Sequence, residues 1–162
     1  MQIEMTIKGL MIDPITNMPI VVLRDDEGQR ILPIWVGVFE ANAIALQIEN
    51  VQTPRPMTHD LLKNVLEDLN ARVERVVVCD LKDNTFYATI HIHSGGDSRS
   101  IDARPSDAIA LALRAQAPIY VEESVIDGAR ATETARGGNV DVGRLRRWLE
   151  SLTEDELGKY KM

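Results

Sequence analysis

Apolar and polar positions alternate over residues 2–12, with Ile3, Met5 and Ile7 on one parity, and this predicts a strand. Pro19 to Arg24 predicts a second strand and Arg30 to Val36 a third, joined through the glycine-closed turn Asp25-Asp26-Glu27-Gly28. Residues 39–49 are alanine-rich and read as a helix that Pro54 and Pro56 bring to an end. From Thr58 onward Leu61, Leu62, Val65, Leu66 and Leu69 recur at the 3.6-residue period of a second helix. Val73 to Leu81 is β-branched and predicts a strand. In residues 85–93, Phe86, Ala88, Ile90 and Ile92 face one way and Thr85, Tyr87, Thr89, His91 and His93 the other, as in a half-buried strand. Gly95-Gly96-Asp97-Ser98 turns the chain into a short strand at 99–103. A third helix opens at Arg104-Pro105-Ser106-Asp107 and runs to about Gln116, and residues 118–121 form a further strand. Residues 128–139 collect Gly, Ala, Thr and Asn, lose all apolar period, and predict a mobile linker. Beyond it, residues 140–152 predict an amphipathic helix carrying Leu145, Trp148, Leu149 and Leu152 beside a basic cluster of Arg144, Arg146 and Arg147. Thr153 to Glu156 is a capping-box pattern for a last short helix.

Length and composition narrow this picture. At 162 residues the chain is expected to form a single domain with a short C-terminal helical extension: residues 1–127, the linker 128–139, and 140–162. Hydrophobic residues make up 44% and aromatics only 4%, so aliphatic side chains and alanine must fill the core. Eighteen basic against 25 acidic residues give a net charge of −7, which excludes a general basic coat for nucleic acid. A local basic site is left open, and residues 54–121, with eight basic and nine acidic side chains, are the least repulsive region for an anion. The single cysteine, Cys79, excludes an intrachain disulfide and a cysteine-rich zinc site. Neither a secretory leader nor a membrane span is visible, and a cytoplasmic protein is expected.

The candidate chemistry gathers at two Arg-Pro-primed helix starts. In Arg55-Pro56-Met57-Thr58-His59-Asp60, Thr58 suits an N-cap, which puts His59 and Asp60 in the first helical turn. The helix dipole there favours an ionised Asp60 and a neutral His59 able to act as a base. Arg55 could hold a phosphate against the free helical N–H groups. In Asp102-Ala103-Arg104-Pro105-Ser106-Asp107, Asp102 and Arg104 share one face of an extended chain, and Ser106 suits a cap. Two carboxylates, an arginine and a helix start in six residues suit metal-assisted phosphoryl transfer, and equally a structural ion pair with a cap. Glu40 opens the first helix after Trp35-Val36-Gly37, and His91 and His93 share a strand face without a third ligand beside them.

These residues also carry a resemblance. Leu32-Pro33-Ile34-Trp35-Val36-Gly37 with Glu40-Ala41, then Arg55-Pro56 with Thr58-His59-Asp60-Leu61-Leu62, then Phe86-Tyr87-Ala88, Asp102 to Ala112, and Ala117-Pro118-Ile119-Tyr120-Val121, in that order, resemble the bifunctional nuclease domain family over about residues 1–127. The resemblance implies an α+β domain with a mixed β-sheet and flanking helices, a homodimer, and nuclease activity on RNA and DNA. It assigns no catalytic residue. Chemistry assigns His59, Asp60 and Asp107 to catalysis, Arg55 and Arg104 to phosphate binding, and Asp102, Asp107 and Glu40 to Mg²⁺ or Mn²⁺, hard cations that prefer oxygen. The expected function is a metal-dependent nuclease with little sequence preference. The alternative is a non-catalytic dimeric module that binds a small anionic ligand or a protein partner.

Overall fold

The computed structural model describes residues 1–135. Seven strands form one sheet: β1 (Gln2–Ile12), β2 (Pro19–Asp25), β3 (Ile31–Trp35), β4 (Ala71–Lys82), β5 (Thr85–Ser94), β6 (Asp97–Ala103) and β7 (Ile119–Glu122). Across the sheet they run β3-β2-β1-β7-β4-β5-β6. The short β7 pairs antiparallel with β1 and parallel with β4, and all other neighbours are antiparallel hairpin partners. Four helices complete the fold: α1 (Val38–Ile48), α2 (Thr58–Asp68), α3 (Pro105–Ala115) and α4 (Glu123–Ala135). The architecture is α+β, with a mixed sheet and flanking helices, as expected.

Alternate strand residues build the main core. Met5, Val21, Leu23, Leu32, Ile34, Val76, Val78, Ile90, Ile119 and Val121 are buried against Ala41 and Ile44 of α1, Ala108, Ile109 and Leu111 of α3, and Val125 and Ile126 of α4. Alanines at the helix contacts let α1 and α3 lie close over the sheet, which a core nearly free of aromatics requires. On the opposite face a smaller cluster of Met11, Ile20, Val22 and Ile31 lies beneath Trp35. Asp13, 3% exposed, closes it. Its carboxylate accepts the Trp35 indole N–H at 2.9 Å, the Ile15 amide at 2.8 Å and the Thr16 hydroxyl at 2.9 Å.

Three local features differ from the sequence expectations. Residues 128–135 continue α4 rather than forming a loop; the remainder of the expected linker and the helices of 140–162 lie outside the described residues. The apolar stripe of α2 faces outward, and α2 has no fully buried residue. Leu61, Leu62, Val65 and Leu69 are exposed, and only Leu66 packs on the core. Finally, the helix caps sit one or two residues earlier than expected. Met57 and not Thr58 is the N-cap of α2, and Arg104 and not Ser106 is that of α3. Pro105 takes the first helical position, where its fixed φ fits and its missing N–H costs nothing.

Candidate active site

One acidic residue occupies the third position of each of three helices: Glu40 in α1, Asp60 in α2 and Asp107 in α3. That position favours a carboxylate, which meets the exposed N–H end of the helix. What the sequence does not show is that the three helix starts meet. His59 Nε2 lies 3.0 Å from Asp107 Oδ1. The other oxygen of Asp107 accepts from Arg104, at 3.0 Å from Nε and 2.9 Å from a terminal nitrogen. A further guanidinium nitrogen of Arg104 donates to Glu40 Oε1 at 3.1 Å. Glu40, Arg104, Asp107 and His59 therefore form one continuous chain of polar contacts across α1, α3 and α2.

The environments of these groups differ in ways that bear on chemistry. The His59 side chain is 12% exposed and that of Arg104 is 65% exposed. Nδ1 of His59 has no hydrogen-bond partner among the described residues, and in the neutral tautomer whose Nε2–H donates to Asp107 it carries the ring's lone pair. Hydrogen bonding to Asp107, and then to Glu40, raises the Arg104 guanidinium above its already high ordinary value, so it stays charged. Gly37 leaves room for the arrangement: a Cβ there would overlap the Glu40 carboxylate.

Asp60, adjacent to His59, plays a different part. Its Oδ2 accepts the Met57 amide at 2.9 Å and its Oδ1 accepts Arg114 Nε at 2.7 Å. Burial opposes ionisation there, but the Met57 amide and Arg114 outweigh it and hold the Asp60 carboxyl below its ordinary 3.8. Arg114, whose side chain is 4% exposed, also donates to the carbonyls of Ala110 and Ala43 at 2.9 Å each. It thus clamps α1, α2 and α3 together. Sequence reasoning missed Arg114, although the signal was present: it lies two helical turns from Asp107, on the apolar face of α3.

Arg55 does not join the His59–Asp107 pair. It lines a neighbouring cleft with Asp60 and Arg114. Asp102 does not join it either. Asp102 pairs with Thr89, between the pairs Ile101–Ile90 and Ala103–Ala88. Ala88 and Ile90 face the core, so strand alternation turns Asp102 to the opposite side of the sheet. There burial, and then the charges of Asp80, Asp102 and Glu122, push the Cys79 thiol up from its ordinary value. His91 contacts the Thr89 and Ser100 hydroxyls through its two ring nitrogens at 3.2 and 3.1 Å, while His93 lies 3.5 Å from Glu74. Burial, and then Arg75, hold His91 below its ordinary value.

The donor set named for Mg²⁺ or Mn²⁺ does not fit a resident ion. Arg104 fills the space between Glu40 and Asp107 with positive charge, and Asp102 lies across the sheet from both. Among the described residues no group of three or more His, Cys, Asp or Glu is placed to hold a metal. None of the described helices is long and apolar enough to cross a membrane.

A mixed sheet with flanking helices, whose helix starts converge on a histidine–carboxylate pair and an exposed arginine, defines an α+β domain with one polar cluster at the helix starts. The bifunctional nuclease domain matches residues 21–134 of the chain, and the chain belongs to that family. An uncharacterized protein of Mycobacterium tuberculosis is 36% identical over 163 residues, covering 94% of this chain and 96% of its own length. Bifunctional nuclease 2 of Oryza sativa subsp. japonica is 32% identical over 124 residues, 73% of this chain and 38% of the rice protein. Bifunctional nuclease 2 of Arabidopsis thaliana is 29% identical over 122 residues, 72% of this chain and 37% of its own length. This chain thus spans well under half of the plant proteins.

Proposed function

We propose that the chain hydrolyses phosphodiester bonds in RNA or DNA strands at the His59–Asp107–Arg104 site, with little sequence preference. The observation that carries this reading is the 3.0 Å contact of His59 with Asp107 while Arg104 holds the other carboxylate oxygen. Asp107 fixes the imidazole orientation and tautomer, and Nδ1 takes the proton of the attacking nucleophile. Arg104 and the converging helix starts meet the phosphate oxygens. Asp60 positions His59 through its links to Met57 and Arg114. Phosphate contacts of this kind carry no base information, hence the weak sequence preference.

The test is hydrolysis of labelled single-stranded oligonucleotides with Mg²⁺, Mn²⁺ or EDTA, so that turnover at this site is read with and without a metal. His59→Ala should lower the rate by about 10²–10⁴-fold. Asp107→Asn should do so comparably by favouring the wrong tautomer. Activity that copurifies unchanged with both variants points to a contaminant and overturns the assignment. No turnover in any condition moves the reading to a non-catalytic dimeric module that binds a small anionic ligand or a protein partner.

We further propose a homodimer, acting in the cytoplasm, where a lone cysteine stays reduced. The support for dimerisation is the apolar face of α2, with Leu61, Leu62, Val65 and Leu69 exposed. Light scattering should give twice the mass of one chain, and Val65→Glu should halve it. The mass of a single chain at micromolar concentration would sink this.

A further inference from the structure

We propose that the cleft beside the catalytic pair is a nucleotide subsite, holding one base and phosphate of the bound strand away from the bond that is cut. The inference rests on the nuclease reading and deepens it. The cleft has a volume of about 320 Å³, at the lower end of the range for small-molecule sites. It lies between the C-terminal half of α1, the connection through residues 49–57, and α2.

The chemistry of its lining points to a nucleotide. Gln47, Gln52 and Asn64 line the cleft, and none of their three side-chain carboxamides hydrogen-bonds another described residue. Each carboxamide offers a donor and an acceptor, the pattern that base edges present in return. Because an amide can turn over, it accepts purines and pyrimidines alike, in keeping with weak sequence preference. Asp60 and Arg114 also line the cleft, but their charges answer each other at 2.7 Å. The uncompensated charge of the lining is therefore Arg55, which forms no ion pair with a described residue. The backbone of Arg55 is also restrained. It sits between Pro54 and Pro56, which restrict the backbone on either side, and its carbonyl accepts the Thr53 hydroxyl at 2.7 Å. A cation on a restrained backbone beside free amides matches a phosphate next to a base.

Position supports the same conclusion. His59 rests on Asp107 and Asp60 on Arg114, and these two partners lie seven residues apart on α3. Asp60, which lines the cleft, directly follows His59 in α2, so the cleft adjoins the pair and takes a nucleotide close to the phosphate at His59.

The experiment compares two substrates with the full chain: a single-stranded hexanucleotide, and bis(p-nitrophenyl) phosphate, a phosphodiester without a base. For Gln47→Leu and Asn64→Leu, the ratio of kcat/KM on the hexanucleotide to that on the base-less diester should fall about tenfold, carried by KM. A ratio within twofold of the unmodified chain overturns the subsite while leaving the nuclease reading in place. If the unmodified chain cleaves neither substrate, the nuclease reading fails, and titration with adenosine 5′-monophosphate and with the hexanucleotide still decides the subsite. Weaker binding of the hexanucleotide by Asn64→Leu and Arg55→Ala then supports it, and equal binding overturns it. Tight binding of the mononucleotide with no gain for the hexanucleotide assigns the cleft to a free nucleotide and overturns the strand-bound form.

Discussion

Arg104 is shared between two carboxylates, and in the proposed reading that sharing sets what a phosphate must displace to reach it. Glu40 Oε1 at 3.1 Å occupies part of the guanidinium that a phosphate would use. The pair is largely exposed on the arginine side, so the contact is weak and a doubly hydrogen-bonding phosphate can displace it. Glu40→Gln should therefore tighten oligonucleotide binding about twofold to fivefold. Gly37→Ala should act in the same direction by pushing the Glu40 carboxylate aside. Weaker binding in both variants, measured by fluorescence anisotropy, would show that Glu40 contacts the ligand. The carboxyl of Asp60 gives a second prediction at this scale. Its folded value lies below 3.8, so it contributes stability above that pH, and the contribution is lost as pH falls through the depressed value. Asp13 shifts the same way: burial opposes ionisation, and the Trp35, Ile15 and Thr16 contacts outweigh it. Urea midpoints should fall as pH drops below 3.8, and Asp60→Asn should flatten that limb. An unchanged slope in the variant would remove Asp60 from the account.

Among the elements, Arg114 carries the consequence that reaches furthest. It joins α3 to the Ala43 carbonyl of α1 and to Asp60 of α2. Arg114→Met should cost about 2–3 kcal/mol in chemical denaturation, less than a fully buried pair because Asp60 is about one-third exposed. Adding Asp60→Asn to Arg114→Met should recover part of that loss, and strict additivity would deny the coupling. The elements that were legible in the sequence are those whose side chains repeat with a clean period. The Phe86-Ala88-Ile90-Ile92 alternation gives β5, and the Pro-primed Ala/Leu run gives α3. α4 was not read from the sequence at all, because Val125 and Ile126 are its one apolar pair and Gly128, Ala129, Ala131 and Thr132 add no apolar stripe. The period of α2 was read correctly as helical, yet period alone does not say whether a stripe faces this core or a partner. The caps shifted because Asp60 and Pro105 set the helix starts more firmly than Thr58 and Ser106 do.

The candidate site shows the same limit at the scale of the molecule. Sequence placed His59, Asp60, Arg104 and Asp107 at helix starts, and helix starts are local. Whether two of them share a cleft depends on the crossing from β6 through α3 into the middle of the sheet, which no short motif encodes. That crossing joins His59 to Asp107, and strand alternation sends Asp102 to the far side. It also leaves few cations facing a strand. In the proposed reading Arg104 and Arg55 are the two arginines that meet phosphates, in a chain of net charge −7. For single strands the logarithm of the binding constant falls with the logarithm of salt by about 0.7 per phosphate neutralised. Two contacts predict a slope of about −1.4. Anisotropy titrations of an oligonucleotide against the His59→Ala variant, over a range of salt, measure that slope without turnover. Arg55→Ala should reduce it by about 0.7, to about −0.7. A slope steeper than about −4 would require about six or more phosphate contacts, and so a basic surface beyond these two arginines.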